Sequence, residues 1–393
     1  MHIDTNRQKI EELLSRGVDE VIQYEALKKK LLSGEQLRIK LGIDPTSANI
    51  HIGRSVPLMK LRDFQELGHH IVCIVGDFTG VIGDTSDKES ERPMLTQEQI
   101  EENKKTYYSQ IAKILDIEKV EFRYNSEWLE KLTYREIGEH ANLFSVSDFI
   151  ARDNIRRRLD AGKRVSLREM LYPLMQGYDS VAIKADVELG GTDQRFNMLA
   201  GRILQPHFGQ DAQNIIMTPL ISGTDGRKMS SSWGNTINLL MMPVEMYGKM
   251  MSMHDAEIIN YFTICTRVPV SEIENMKEAL VQGVNPRDIK MKLAFEITRM
   301  YHGEKGAQEG ERYFIETFQQ KQIPDDALEI KTPYTETLIA KGVVASKTEL
   351  RRLLEAGSIR IAETGEKITE IPTVVTEPKV LKIGKLRFVK LVP

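Results

Sequence analysis

Cysteine is scarce in this chain. Two residues, Cys73 and Cys265, stand far apart, and neither has ligand-type spacing around it. That excludes a disulfide framework and a cysteine-based zinc site, so a reducing cytoplasm is the expected compartment and no protein-bound metal is expected. Long apolar runs are missing too. No stretch approaches the roughly 20 residues needed to span a bilayer. The polar opening Met1-His2-Ile3-Asp4-Thr5-Asn6-Arg7-Gln8-Lys9 carries no secretory hydrophobic region, so no membrane partner is expected. There is no GxGxxG turn with an acidic residue downstream, which removes a nicotinamide-dependent oxidoreductase from consideration. Internal repeats and low-complexity tracts are absent as well.

The 393 residues, 41 % hydrophobic and 28 % charged, fit a globular chain of two or three domains. The net charge of −3 hides an asymmetry. From Lys331 onward twelve Lys and Arg stand against seven Glu, a net of +5, which leaves −8 on the preceding 330 residues. A basic tail on a mildly acidic body points the tail toward a polyanion, although a solvated charged surface is the commoner meaning of such an excess.

Strand-like runs at 37–43 and 71–76 are each followed by glycine or turn residues and then a helical pattern, and 119–123 and 215–217 can add strands. This alternation predicts an α/β fold with a parallel sheet covered by helices. Residues 4–35 read as helices broken near Gly17. Long helical patterns run between 128 and 185, and 240–320 is mostly helical, punctuated by Pro243, Pro269 and Pro286. The expected division is a Rossmann-like catalytic domain over 1–232, a helical domain over 233–325, a linker over 326–335 and a small α+β domain over 336–393. In the last, two short helices, the second capped at Ser346, precede strands near 358–361, 380–383 and 386–389.

Two motifs carry the chemistry. His51-Ile52-Gly53-Arg54 follows a strand and the turn Asp44-Pro45-Thr46-Ser47 and opens a helix. Free backbone N–H groups and the helix dipole make such a junction a natural phosphate site. Lys228-Met229-Ser230-Ser231-Ser232 follows the glycine-bearing loop 223–227 and offers a cation with small hydroxyls. Taken alone, His51 is a helix-cap histidine. A third segment, Tyr172-Pro173-Leu174-Met175-Gln176-Gly177-Tyr178-Asp179, puts Tyr172, Gln176 and Asp179 at i, i+4 and i+7, a polar stripe on one helix face.

Together these residues resemble the HIGH and KMSKS signatures of class I aminoacyl-tRNA synthetases. From about residue 35 onward the chain is similar to bacterial tyrosyl-tRNA synthetases of the subgroup with a KMSKS-like loop. That resemblance implies an enzyme that joins L-tyrosine to tRNA(Tyr), using ATP with Mg²⁺ as a substrate complex. It implies catalytic roles for His51 and Lys228, with Lys88 and Arg92 on a loop over the pyrophosphate. ATP would meet Gly53, Arg54, Gly191, Asp193, Lys228 and Ser231. Tyrosine would meet Asp44, Asp84, Asn125, Tyr172, Gln176, Asp179 and Gln194, with the Asp179 carboxylate accepting the phenolic O–H.

The helix–helix–strand order of the tail resembles the S-four-like RNA-binding domain, with Lys347, Arg351 and Arg352 as phosphate contacts. A homodimer joined around Val165–Met170 is also implied. Two positions depart from the family pattern: Arg54 stands where a second His is usual, and Ser231 where a second Lys is common. Ser231 leaves the loop one positive charge short and puts its burden on Lys228. The rival readings are a tryptophanyl-tRNA synthetase, which shares the architecture, and a catalytically silent RNA-binding relative. An acceptor for O–H suits a phenol, which favours tyrosine.

Overall fold

Six strands make the sheet of the larger unit: β1 (Glu20–Ile22), β2 (Arg38–Ile43), β3 (His70–Val75), β4 (Val120–Tyr124), β5 (Val187–Gly191) and β6 (Asn214–Thr218). The computed structural model describes residues 2–84, 94–319, 327–362, 364–384 and 387–393. Lys88 and Arg92 lie outside the described residues. The chain divides into two compact units, Met1–Met241 with Met253–Ile289, and Met242–Ser252 with Lys290–Pro393. The segment 233–325, expected as one helical domain, therefore contributes to both.

Across the larger sheet the order is β1-β6-β5-β2-β3-β4, parallel throughout except for β1, which runs antiparallel to β6. The near-continuous apolar runs Ile71–Val75 and Ile215–Met217 are buried, as helices on both faces of a parallel sheet require. β2 is the switch point. The chain leaves it toward β3 and β4 on one side, and β5 and β6 are laid down on the other. In such sheets ligands bind in the crevice outside the carboxyl ends of the strands at that point.

The expected strands form within a residue or two of their sequence limits. Among the strands not expected, β1 falls inside the stretch 4–35 that reads as helical. Three residues carry no periodicity of their own, and β1 is defined by pairing Glu20–Ile22 with Met217–Ile215, nearly two hundred residues away. Helices Arg7–Ser15 and Tyr24–Ser33 flank it.

Helix starts follow their caps. His51 accepts at Nδ1 from the Arg54 N–H (3.3 Å) and begins Ile52–Glu66. Ser166 and Glu169 form a reciprocal capping box at the start of Leu167–Ile183. That helix packs on Arg195–His207 at Gly177, where a Cβ would come within 2.9 Å of the Ala200 carbonyl carbon.

In the smaller unit, β7 (Leu328–Ile330), β8 (Ile359–Ile361), β9 (Lys379–Ile383) and β10 (Arg387–Leu391) form a second sheet of order β7-β10-β9-β8. β7 is parallel to β10 and the other pairs are antiparallel. Ile330, Tyr334, Leu338, Leu350, Leu381 and Leu391 belong to its own buried core. β7 thus occupies part of the stretch 326–335 expected as a linker, because Ile330 has apolar surface to bury there. The helix Lys347–Glu355 begins as its sequence cap implies: the Ser346 hydroxyl accepts from Glu349 N–H, and Glu349 in return takes the N–H of Ala345.

Candidate active site

One cavity of about 490 Å³ opens at the carboxyl ends of β2, β3, β5 and β6. Every described candidate for amino-acid or nucleotide binding lines it: Asp44, His51, Gly53, Arg54, Asp84, Asn125, Tyr172, Gln176, Asp179, Gly191, Asp193, Gln194, Lys228 and Ser231. The chain collects them from the ends of β2, β4 and β5, from two helix starts, from one face of the helix Leu167–Ile183, from the end of a short helix at Asp84 and from the loop around Lys228. This is what a switch-point crevice does with residues that are distant in sequence.

A continuous set of hydrogen bonds runs along part of the wall. Tyr172 OH donates to Asp44 Oδ2 (2.8 Å), and Thr79 Oγ1 donates to Asp44 Oδ1 (2.8 Å). Asn125 Nδ2 donates to Thr79 Oγ1 (2.8 Å) and to Asp179 Oδ2 (3.3 Å). Trp128 Nε1 supplies a second donor to Asp179, at Oδ1 (2.8 Å). The Phe78 N–H bonds Asn125 Oδ1 (3.1 Å), so the orientation of the Asn125 amide is fixed. Burial pushes the Asp179 carboxyl up to about 7, against the opposing pull of Lys40 and of the donors Trp128 and Asn125. Burial, reinforced by Asp44, holds the Tyr172 phenol well above its ordinary value. Gly76 is required beside this array, since a Cβ there would sit 2.0 Å from Asp44 Oδ1 and 2.4 Å from Thr79 Oγ1.

Asp84 takes a bond from Gln194 Nε2 (2.7 Å), and Gln194 Oε1 accepts from Asn197 Nδ2 (3.1 Å). Asp77, seven residues before Asp84, does not line the cavity. It binds the backbone N–H of Ser126 (3.0 Å) and the Ser126 hydroxyl (2.7 Å) and so anchors a short helix. The remaining polar residues gather at the start of helix Ile52–Glu66 and on the 223–235 loop. Arg54 Nη2 donates to Thr46 Oγ1 (2.9 Å), and Lys228 Nζ pairs with Asp193 Oδ2 (3.1 Å). Asn235 ties the loop down by donating to Asp225 Oδ1 (2.7 Å) and to the Lys228 carbonyl (3.1 Å). Arg227, the other cation beside Lys228, is held by Asp225 and lies 4.8 Å from the centre of the Trp233 ring. Among the described residues no group of three or more His, Cys, Asp or Glu side chains is arranged to hold a metal.

The chain matches the family model described as tRNA synthetases class I (W and Y) over residues 32–319, well over half its length. It belongs to that family. The tyrosine–tRNA ligase of Carboxydothermus hydrogenoformans is 44 % identical over 411 residues, covering 100 % of this chain and 99 % of the relative. That of Thermotoga maritima is 44 % identical over 388 residues, 96 % of each chain. The solved tyrosyl-tRNA synthetase of Archaeoglobus fulgidus, complexed with L-tyrosine, shares the fold with a TM-score of 0.63 at 24 % identity, over 78 % of this chain and 100 % of that one.

In this class I synthetase chain several residues of the wall escape a reading by motif. Thr79 joins Asn125 to Asp44, Trp128 caps Asp179, and Lys40 with Glu188 lies behind Gln176. Thr79 and Trp128 lie within five residues of the sequence candidates Asp84 and Asn125. Lys40 had one available signal, a lysine set between Ile39 and Leu41 in β2.

The tail candidates lie on one helix of the smaller unit. Lys347 pairs with Glu336 (2.9 Å) and Arg351 with Glu355 (3.0 Å), all of them exposed, and Arg352 is exposed too. Exposed pairs of this kind are worth at most about 1 kcal/mol, so they leave the cations available to a stronger anion. No helix among the described residues is long and apolar enough to cross a membrane.

Proposed function

We propose that the chain is a tyrosine–tRNA ligase that activates L-tyrosine with MgATP and transfers the tyrosyl group to the 3′ end of tRNA(Tyr). The tyrosine carboxylate attacks the α-phosphorus of ATP, and pyrophosphate leaves. The terminal ribose hydroxyl of the tRNA then attacks the tyrosyl carbonyl, and AMP leaves. Neither step needs a covalent nucleophile on the protein. Both need in-line positioning and stabilisation of the charge that grows on the leaving group. His51 and Lys228 do this at the phosphates. Gly53, Arg54, Gly191, Asp193 and Ser231 hold the rest of the nucleotide. Asp84, Tyr172, Gln176 and Gln194 receive the amino-acid end of tyrosine.

The observation that carries tyrosine as the substrate is Asp179. It is a buried carboxylate on the cavity wall with two donors already in place, and a phenolic O–H adds a third. The full-length likeness to tyrosine–tRNA ligases supports the same reading. Exchange of pyrophosphate into ATP that depends on L-tyrosine tests it. Exchange driven by L-tryptophan instead, or by no amino acid, would overturn it.

The basic C-terminal segment is the tRNA-binding domain of this reading, with Lys347, Arg351 and Arg352 on phosphates. The enzyme works as a homodimer in the cytoplasm. Leu167 and Val146, 82 % and 73 % exposed, supply apolar surface for the second copy.

A further inference from the structure

Two buried charges behind the cavity wall take no part in the chemistry above. Lys40 and Glu188 stand opposite each other across the β2–β5 pairing, 0 % and 1 % exposed, with Nζ 2.9 Å from Oε1. An ammonium has three protons to place. Those of Lys40 go to Glu188, to Ser180 Oγ (2.7 Å) and to the main-chain oxygen of Gln176 (2.8 Å). The carboxylate is filled as completely. Oε1 also accepts from Gln176 Nε2 (3.1 Å), and Oε2 accepts from Ser180 Oγ (3.2 Å) and Gln213 Nε2. Gln176 is therefore gripped twice, its carbonyl by Lys40 and its side-chain amide by Glu188.

The second grip selects an orientation. A side-chain amide has a donating end and an accepting end, and an ionised carboxylate can only accept. Paired with the Lys40 ammonium, the Glu188 carboxylate must take the NH₂ end. The amide is planar, so Oε1 faces away from Glu188, and Gln176 lines the cavity. The cavity thereby receives an acceptor, which is what an ammonium group needs. We infer that Lys40 and Glu188 are a positioning pair that fixes the Gln176 amide with its oxygen toward the substrate ammonium. The inference rests on the tyrosine reading above.

A purely structural pair makes a different forecast. Replacing both members of a buried ion pair by neutral side chains of similar size is often neutral for stability. The test is therefore Lys40→Met together with Glu188→Gln, which leaves no charge stranded. Glutamine at 188 accepts or donates equally well, so the orientation of Gln176 is no longer imposed. Two competitive inhibitors of tyrosine-dependent pyrophosphate exchange separate the possibilities. Tyrosinol carries the phenol and the ammonium, and 3-(4-hydroxyphenyl)propionate carries the phenol without an ammonium.

Tyrosinol is expected to bind the double variant about 10- to 100-fold more weakly, the span of one hydrogen bond to a charged group, while the propionate is unaffected. Equal loss of both inhibitors, or loss of neither, would overturn the inference. If the double variant does not fold, Ser180→Ala reads the same selectivity, because it removes one partner from each charge. Tyrosinol should then weaken about threefold with the propionate unchanged, and an unselective effect sinks the inference equally. Wild-type protein without tyrosine-dependent exchange would instead refute the functional reading, and the inference with it.

Discussion

Asp179→Asn keeps the shape of the side chain and removes its charge. The carboxylate now accepts from Trp128 Nε1 at 2.8 Å and from Asn125 Nδ2 at 3.3 Å. An amide at this position must turn its NH₂ toward one of these two donors. The longer bond to Asn125 is the one expected to break, because Asn125 cannot flip without losing the Phe78 N–H. This loss falls equally on the tyrosine and phenylalanine complexes, so it cancels from their ratio. What remains is the charged hydrogen bond to the phenol, about 2–3 kcal/mol, or about 30- to 140-fold in the preference for tyrosine over phenylalanine.

A second signature is independent of that ratio. With the carboxyl at about 7, only about a tenth of the wild-type sites are ionised at pH 6. If the ionised form is the one that accepts the phenol, tyrosine binds about tenfold more weakly at pH 6 than at pH 8. Phenylalanine shows no such slope, and neither does Asp179→Asn with tyrosine. The assay is kcat/KM in amino-acid-dependent pyrophosphate exchange, for both amino acids and both proteins, between pH 6 and 8.5. An unchanged preference in Asp179→Asn, or a pH slope that survives the substitution, would remove Asp179 from the specificity site.

The same carboxyl makes a stability prediction. Between pH 3.8 and about 7 the folded state holds the Asp179 proton and the unfolded chain does not, so this group's contribution falls as pH rises through that window. Relative to wild type, Asp179→Asn should therefore gain up to about 4 kcal/mol on going from pH 4 to pH 8, read from denaturant unfolding; a constant difference contradicts it. Lys228→Ala should slow adenylate formation about 10²- to 10³-fold and leave equilibrium tyrosine binding unchanged, and equal loss of both would make the loop structural. Gly76→Ala drives a methyl into Asp44 and Thr79. It should weaken tyrosine binding by at least about tenfold, since one buried hydrogen bond to a charged group is lost, and a normal affinity would deny the wall its role. Removing residues 327–393 takes away β7 with its partner β10. Tyrosine-dependent exchange should survive while tRNA charging at subsaturating tRNA collapses. The salt slope of the residual tRNA binding should be shallower by about 0.7–0.9 for each lost phosphate contact, and full charging by the truncated protein would refute an RNA-binding tail.

The parallel sheet and the cavity residues were legible because both rest on local signals. Apolar runs such as Ile71–Val75 announce buried strands, and Tyr172, Gln176 and Asp179 share a helix face wherever that helix packs. What stayed hidden depends on pairing across the chain. β1 exists through its register with β6. Lys40 and Glu188 read as two unrelated charges until β2 and β5 are set side by side, and only then do they satisfy each other. Asp77 shows the converse: a carboxylate close in sequence to the candidate Asp84 serves a helix start instead, because Ser126 offers it both a backbone and a hydroxyl proton. The linker expectation failed at Leu328–Ile330 for a similar reason, since that strand is defined by its pairing with β10, about sixty residues further along the chain.

The Asn125 amide feeds two carboxylates at once, Asp179 directly and Asp44 through Thr79. An engineer recutting this pocket for a tyrosine analogue with a different para-substituent would begin at Asp179. Each change there alters what Asn125 donates to, and Thr79 carries the disturbance to the carboxylate that holds Tyr172. Under the proposed binding mode, substitutions at the ring end and at the amino end of the pocket are thus expected to be epistatic. Libraries that randomise Asp179 alone sample a landscape in which the best partners at Asn125 and Thr79 are never present, whereas libraries that vary the three together keep the wall intact while its chemistry changes.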